Sequence, residues 1–134
     1  MKIWKENPYY SEYNGRPVLL LGGSDEDNLF NDPRPMHNLE TSQRCRGNYI
    51  RCTLSSRDEG NVWPYEKVGE LHGPNRFNPE YWARLDRCLR EARRREIIVQ
   101  IEIWATFDFY RNNWLMNPFN PALNVNYTTE TTST

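Results

Sequence analysis

Asn78-Pro79-Glu80-Tyr81-Trp82-Ala83-Arg84-Leu85-Asp86-Arg87-Cys88-Leu89-Arg90-Glu91-Ala92-Arg93-Arg94-Arg95-Glu96-Ile97-Ile98-Val99-Gln100-Ile101-Glu102-Ile103-Trp104 reads as a helix running into a strand, and this juxtaposition decides the fold class. Asn78 is a natural N-cap, and Pro79 sits in the first turn, where a missing N–H removes no intrahelical bond. Trp82, Leu85, Cys88/Leu89 and Ala92 recur every three or four residues and share one face. After Glu96 the period shortens to two: Val99, Ile101 and Ile103 alternate with Gln100, Glu102 and Trp104. Toward the N-terminus, Tyr49-Ile50-Arg51-Cys52-Thr53-Leu54 and Val18-Leu19-Leu20-Leu21 are two further runs of strand length. Between these two, Met36, Leu39 and Cys45 are the apolar anchors of a weaker, short helix. Strand, helix, strand, helix, strand implies parallel pairing with right-handed crossovers, hence an α/β fold. The long connections show no hairpin turn and argue against a meander.

The chain has 134 residues, enough for a single domain and too few for two ordinary ones. Its 17 basic and 18 acidic side chains nearly cancel, so no bulk field favours a polyanion or an acidic membrane. No apolar run approaches the roughly 20 residues of a membrane-spanning helix, and Met1-Lys2-Ile3-Trp4-Lys5-Glu6 lacks the apolar core of a secretory signal. The expectation is a soluble chain, whole or truncated, in a compartment the sequence leaves open. Its end, residues 128–134, is Thr-rich and expected to be disordered.

Cys45, Cys52 and Cys88 lack zinc-knuckle spacing, so no metal is expected, and Cys52 and Cys88 read as small buried hydrophobes. His37 and His72 lie in polar stretches and read as surface residues. The arginines of the helix have partners four residues earlier: Glu80 for Arg84, Asp86 for Arg90 and Glu91 for Arg95. That makes a solvated, self-paired face rather than a nucleic-acid surface. Gly22-Gly23-Ser24 is followed by acidic residues and fits neither a dinucleotide fingerprint nor a phosphate loop; the glycines read as close backbone packing.

Alternation places Ile50, Cys52 and Leu54 opposite Tyr49, Arg51 and Thr53. In two strands, then, one face carries Arg51, Thr53, Gln100, Glu102 and Trp104, which is too polar for an ordinary core. This face either lines a site, faces solvent, or holds Arg51 and Glu102 as a structural ion pair. Long segments rich in Asn, Trp and Tyr follow the strands and include Arg57, Asp58, Trp63, Tyr65 and His72, then Phe107, Asp108, Phe109, Asn113, Trp114 and Phe119. Segments that long without regular structure are usually binding loops, and in a parallel sheet all emerge at one end. Trp and Tyr for the apolar faces of a ring, with Asn, Asp and Arg for its hydroxyls, suit a sugar better than a nucleotide or lipid.

In the order of these features the chain resembles the amino-terminal part of a (β/α)8 glycoside hydrolase of the cellulase-like superfamily, clan A. The residues carrying the resemblance are Asn14-Gly15-Arg16-Pro17, Gly47-Asn48-Tyr49-Ile50-Arg51, Phe77-Asn78-Pro79-Glu80-Tyr81-Trp82 and Ile98-Val99-Gln100-Ile101-Glu102. The resemblance implies a partial TIM barrel, its first three strands parallel with intervening helices, in a single domain spanning residues 1–134. It also implies O-glycosyl hydrolysis by the full-length family, with Arg51 helping to orient a nucleophile. Retaining glycosidases use two carboxyl groups about 5 Å apart. In the family these close the fourth and seventh strands, beyond this chain, so no catalytic residue is expected within it and no cofactor is implied. Arg51, Trp63, Glu102, Trp104, Asp108 and Trp114 are the expected substrate-binding residues, and an oligo- or polysaccharide is the expected partner. Self-association, or association with a missing remainder of the barrel, would cover open sheet edges. A non-catalytic carbohydrate-binding domain and a protein-interaction domain are the alternatives.

Overall fold

Two short strands of branched residues form the centre of the molecule. In the computed structural model, which describes residues 1–32 and 35–126, Tyr49–Thr53 (β4) lies parallel to Ile98–Glu102 (β7), with Tyr49 opposite Ile98 and Thr53 opposite Glu102. Between them in sequence comes the long helix Pro79–Arg94 (α2); the shorter helix Pro35–Arg44 (α1) precedes β4. Leu29, Phe30, Leu39, Ile50, Cys52, Tyr81, Cys88, Ala92 and Ile97 form the buried core. Phe30 and Tyr81 meet edge to face at 5.1 Å, the arrangement the ring quadrupoles favour.

The partial-barrel expectation is overturned. The sheets are mixed: an antiparallel meander of Lys2–Ile3 (β1), Ser11–Tyr13 (β2) and Arg16–Val18 (β3), the parallel β4–β7 pair, and an antiparallel hairpin of Tyr65–Val68 (β5) and Leu71–Phe77 (β6). Among the described residues three α-helices occur, the last being the single turn Arg111–Trp114 (α3). The first apolar run is not a strand of a parallel sheet. Val18 alone belongs to a strand, and it pairs antiparallel with Ser11.

Local chemistry accounts for both departures. Asn14 and Gly15, with φ of 50° and 75°, make the two-residue turn between β2 and β3, and two positive φ values suit the right-handed twist of a hairpin. Gly69, with φ of 64°, opens the Gly69-Glu70 turn between β5 and β6. Beyond Val18 the chain lies beside β4, joined to it at Asn48 by one backbone bond, the Asn48 N–H to the Leu21 carbonyl at 2.8 Å, and by two bonds of its side chain. Its Oδ1 accepts from the Leu21 N–H at 2.8 Å, and its Nδ2 donates to the Leu19 carbonyl at 3.0 Å. The meander also leaves Leu19 and Leu21 exposed.

The second helix begins where the sequence places it. The Asn78 side chain accepts from the Glu80 N–H at 3.0 Å. Its buried side is rotated from the expected stripe: Tyr81, Cys88 and Ala92 are buried, Leu85 is half-buried, and Trp82 and Leu89 sit at the exposed margin. Glu80 pairs with Arg84 at 2.7 Å, Asp86 with Arg90, and Glu91 with Arg95 at 2.6 Å and with Arg94. Both longer helices stop in Schellman motifs whose left-handed residue is not glycine. Arg46 (φ 59°) follows α1, with the Gly47 N–H donating to the Ser42 carbonyl; Glu96 (φ 56°) follows α2, with the Ile97 N–H donating to the Ala92 carbonyl. No helix among the described residues is long and apolar enough to cross a membrane. The expected disordered tail, 128–134, lies outside the described residues.

Candidate functional site

The segments that follow β4 and β7 converge on one cleft. One wall comes from the stretch after β4, with Ser56, Arg57, Trp63 and Pro64; the other comes from residues 104–119, with Trp104, Asp108, Phe109, Asn113 and Phe119. The cavity measures about 50 Å3, within about 470 Å3 of empty space that includes the part open to solvent.

Asparagines build both walls. Asn78, besides capping α2, donates from Nδ2 to the Trp63 carbonyl at 2.9 Å, and its N–H donates to the Pro64 carbonyl at 2.9 Å. Asn117 is buried; its Nδ2 donates to the Asp108 carbonyl at 2.9 Å, and its Oδ1 accepts from the Phe119 N–H at 2.8 Å. Asn120 donates to the Trp114 carbonyl at 2.9 Å, and Asn113 to the Phe107 carbonyl at 3.1 Å. Beneath the cleft, Asn28 and Asn31 are fully buried, Asn28 bonded to the Ser55 carbonyl and Asn31 exchanging two bonds with Val62. Buried amides must find partners, and these find backbone groups of neighbouring segments. The asparagine bias, which in sequence points to hydroxyl recognition, serves in large part to hold loops together.

Rings line the cleft. Trp104 lies 5.6 Å from both Phe109 and Phe119, which stack at 15° to each other. Trp104 is nevertheless 62% exposed, so its packing leaves much of the indole bare. Trp63 meets His72 edge-on at 5.2 Å. His72, expected at the surface, is buried, because the β5–β6 hairpin folds it beneath Trp63 and bridges it to Asn124. Burial, assisted by the charge of Lys67, lowers the His72 pKa below its ordinary value, and Nδ1 is buried without a hydrogen bond.

Charges run beside the rings as an alternating chain. Glu102 pairs with Arg51 at 2.7 Å, Arg51 with Asp27 at 3.7 Å, Asp27 with Arg57, and Arg57 with Asp108 at 2.6 Å. Burial pulls the Arg57 pKa down, but its hydrogen bond to Asp108 and the charges of Asp108 and Asp27 outweigh that and raise it, so the guanidinium stays charged. Arg57 also donates to the Ser55 hydroxyl at 3.0 Å and lies 5.2 Å from the Phe107 ring centre.

Of the six residues singled out in the sequence, Trp63, Trp104 and Asp108 line the cleft together. Arg51 and Glu102 do not; they form the ion pair that was the plainer reading, joined to the cleft through Asp27 and Arg57. Trp114 supports the wall by stacking on Phe109 at 5.9 Å and lies outside the lining. Arg57 and Asp27 are the organising residues; the sequence places them in loops that follow strands but assigns neither a role in the site. Their sequence signal is no more than a basic and an acidic residue in separate loops. Among the described residues no three His, Cys, Asp or Glu side chains gather in a way that would hold a metal ion. No protein-family model, no curated protein and no solved structure matches this chain.

Proposed function

We propose that the chain binds carbohydrate in the cleft between Trp63 and Trp104, and that it binds without hydrolysing. The observation that carries this reading is Trp104, a ring 62% exposed and braced by Phe109 and Phe119, set in the same cleft as Arg57 and Asp108. A sugar ring has an apolar face that stacks on an indole and an equatorial rim of hydroxyls that bonds to carboxylates, guanidinium groups and amides. Glu102 and Asp108, the carboxylates beside β7, are each engaged by an arginine. That engagement suits positioning better than the proton transfer and nucleophilic attack of a glycosidase pair.

Titration with a panel of β-linked oligosaccharides tests the reading. Binding changes the tryptophan fluorescence and raises the melting temperature, and Trp104→Ala weakens affinity about tenfold or more, corresponding to about 1.4 kcal/mol. An unchanged spectrum and melting temperature across the panel overturns it. Release of nitrophenol from aryl glycosides by the purified chain overturns the non-hydrolytic part alone.

A further inference from the structure

Among the described residues lining the cleft, Arg57 is the one cation and Asp108 the one anion. Arg57 is already committed. It holds Asp108 at 2.6 Å, Asp27 through its other terminal nitrogen, and the Ser55 hydroxyl at 3.0 Å, with its side chain 15% exposed. The ion-pair chain of which it is part sets three carboxylates (Glu102, Asp27, Asp108) against two guanidinium groups (Arg51, Arg57), so the local balance is negative. An anionic ligand would have to displace Asp108 from a close, half-buried pair and then face the repulsion of the carboxylate it displaced.

Asp108 is also rigidly placed. Its N–H donates to the Ala105 carbonyl at 2.8 Å, its carbonyl accepts from buried Asn117, and Oδ1 is held by Arg57. Oδ2 has no hydrogen bond to the described protein atoms, and so is a fixed acceptor at the cleft wall. Resting on the carbohydrate reading above, we propose that the cleft selects uncharged sugar rings and rejects uronates. In this arrangement Asp108 Oδ2 accepts a ring hydroxyl, and the Asp108–Arg57 pair is the element that sets the charge of the accepted ligand.

The experiment compares an uncharged β-1,4-linked glucan oligosaccharide with an oligogalacturonide of the same length, on the full chain, at fixed ionic strength, by tryptophan fluorescence. The expected result is at least tenfold tighter binding of the uncharged sugar. Equal or tighter binding of the uronate overturns this proposal and leaves carbohydrate binding standing. Binding of neither overturns this proposal; if no other oligosaccharide in the panel above binds either, the carbohydrate reading falls with it. Asp108→Asn, checked by its melting curve, is expected to weaken the uncharged sugar and to tighten the uronate about fivefold by releasing Arg57. A folded variant in which neither affinity moves also overturns the assignment. The comparison of the two sugars on the unaltered chain needs no variant, so a variant that fails to fold does not rescue the proposal.

Discussion

At the scale of single residues, two adjacent glycines that look alike in sequence separate sharply in the structure. A Cβ on Gly22 would lie 1.8 Å from the Tyr49 carbonyl oxygen, whereas one on Gly23 would meet nothing within 4 Å. Gly22→Ala is therefore expected to cost about 2–3 kcal/mol and Gly23→Ala well under about 1 kcal/mol, measured by denaturant unfolding. His72 supplies a pH test. Its folded-state pKa lies below the ordinary value near 6.5, so below that pH the unfolded chain binds more protons and stability falls with pH until the folded-state value is passed. Melting temperature should decline as pH drops from 7.5 through 6, and His72→Leu should flatten that decline; an unchanged slope in the variant would place its origin elsewhere. Cys52 and Cys88 are buried as their pattern in sequence indicates, whereas Cys45, expected as an apolar anchor of the first helix, lies just past its end and is exposed. Burial pushes the Cys52 thiol up to about 11 and the Cys88 thiol up to about 12, while Cys45 is exposed. Alkylation of the native chain at pH 8 should label Cys45 alone.

At the scale of elements, the second helix and the strand after it are legible because local rules agree there. A capping asparagine, a first-turn proline, a period near 3.6 and then a period of two all point one way. The hairpins are not legible in the sequence, for identifiable reasons. Asn14-Gly15 is among the stronger short hairpin signals, but it is flanked by strands of only three residues, too short to show alternation. Strand β6 contains Gly73 and Pro74, which demote a strand on sequence grounds; they fall in the register shift between the Lys67–His72 and Tyr65–Phe77 pairs, where no ladder bond is needed from them. The helix ends allow a direct experiment. Glu96 is exposed and adopts a left-handed conformation that disfavours a β-carbon by roughly 1–2 kcal/mol, partly offset by the unfolded-state freedom of glycine. Glu96→Gly should raise stability by about 0.5–1 kcal/mol, visible as a melting temperature higher by a few degrees.

At the scale of the whole molecule, Arg57 ties three separate stretches together: Asp27 before α1, Ser55 after β4, and Asp108 after β7. Removing Arg57 from this half-buried ion-pair chain leaves Asp108 without its guanidinium and Asp27 with Arg51 alone, so Arg57→Ala should cost about 2 kcal/mol or more. Hydrogen exchange should speed up around residues 25–30 and 104–119 together; acceleration near residue 57 alone would show that the three stretches are not coupled through it. The sequence by itself determined the α2–β7 unit, the parallel neighbour it was given in β4, the helical ion pairs and the burial of two cysteines, because each follows from interactions at short range or from periodicity. The tertiary structure alone decided the mixed sheet arrangement in place of a barrel, the burial of His72, the scaffolding use of the asparagines, and the linkage of Asp27, Arg57 and Asp108 into one charged wall. Those outcomes depend on which distant segments meet, and the energies that choose between meetings are sums over many side chains that no local pattern records.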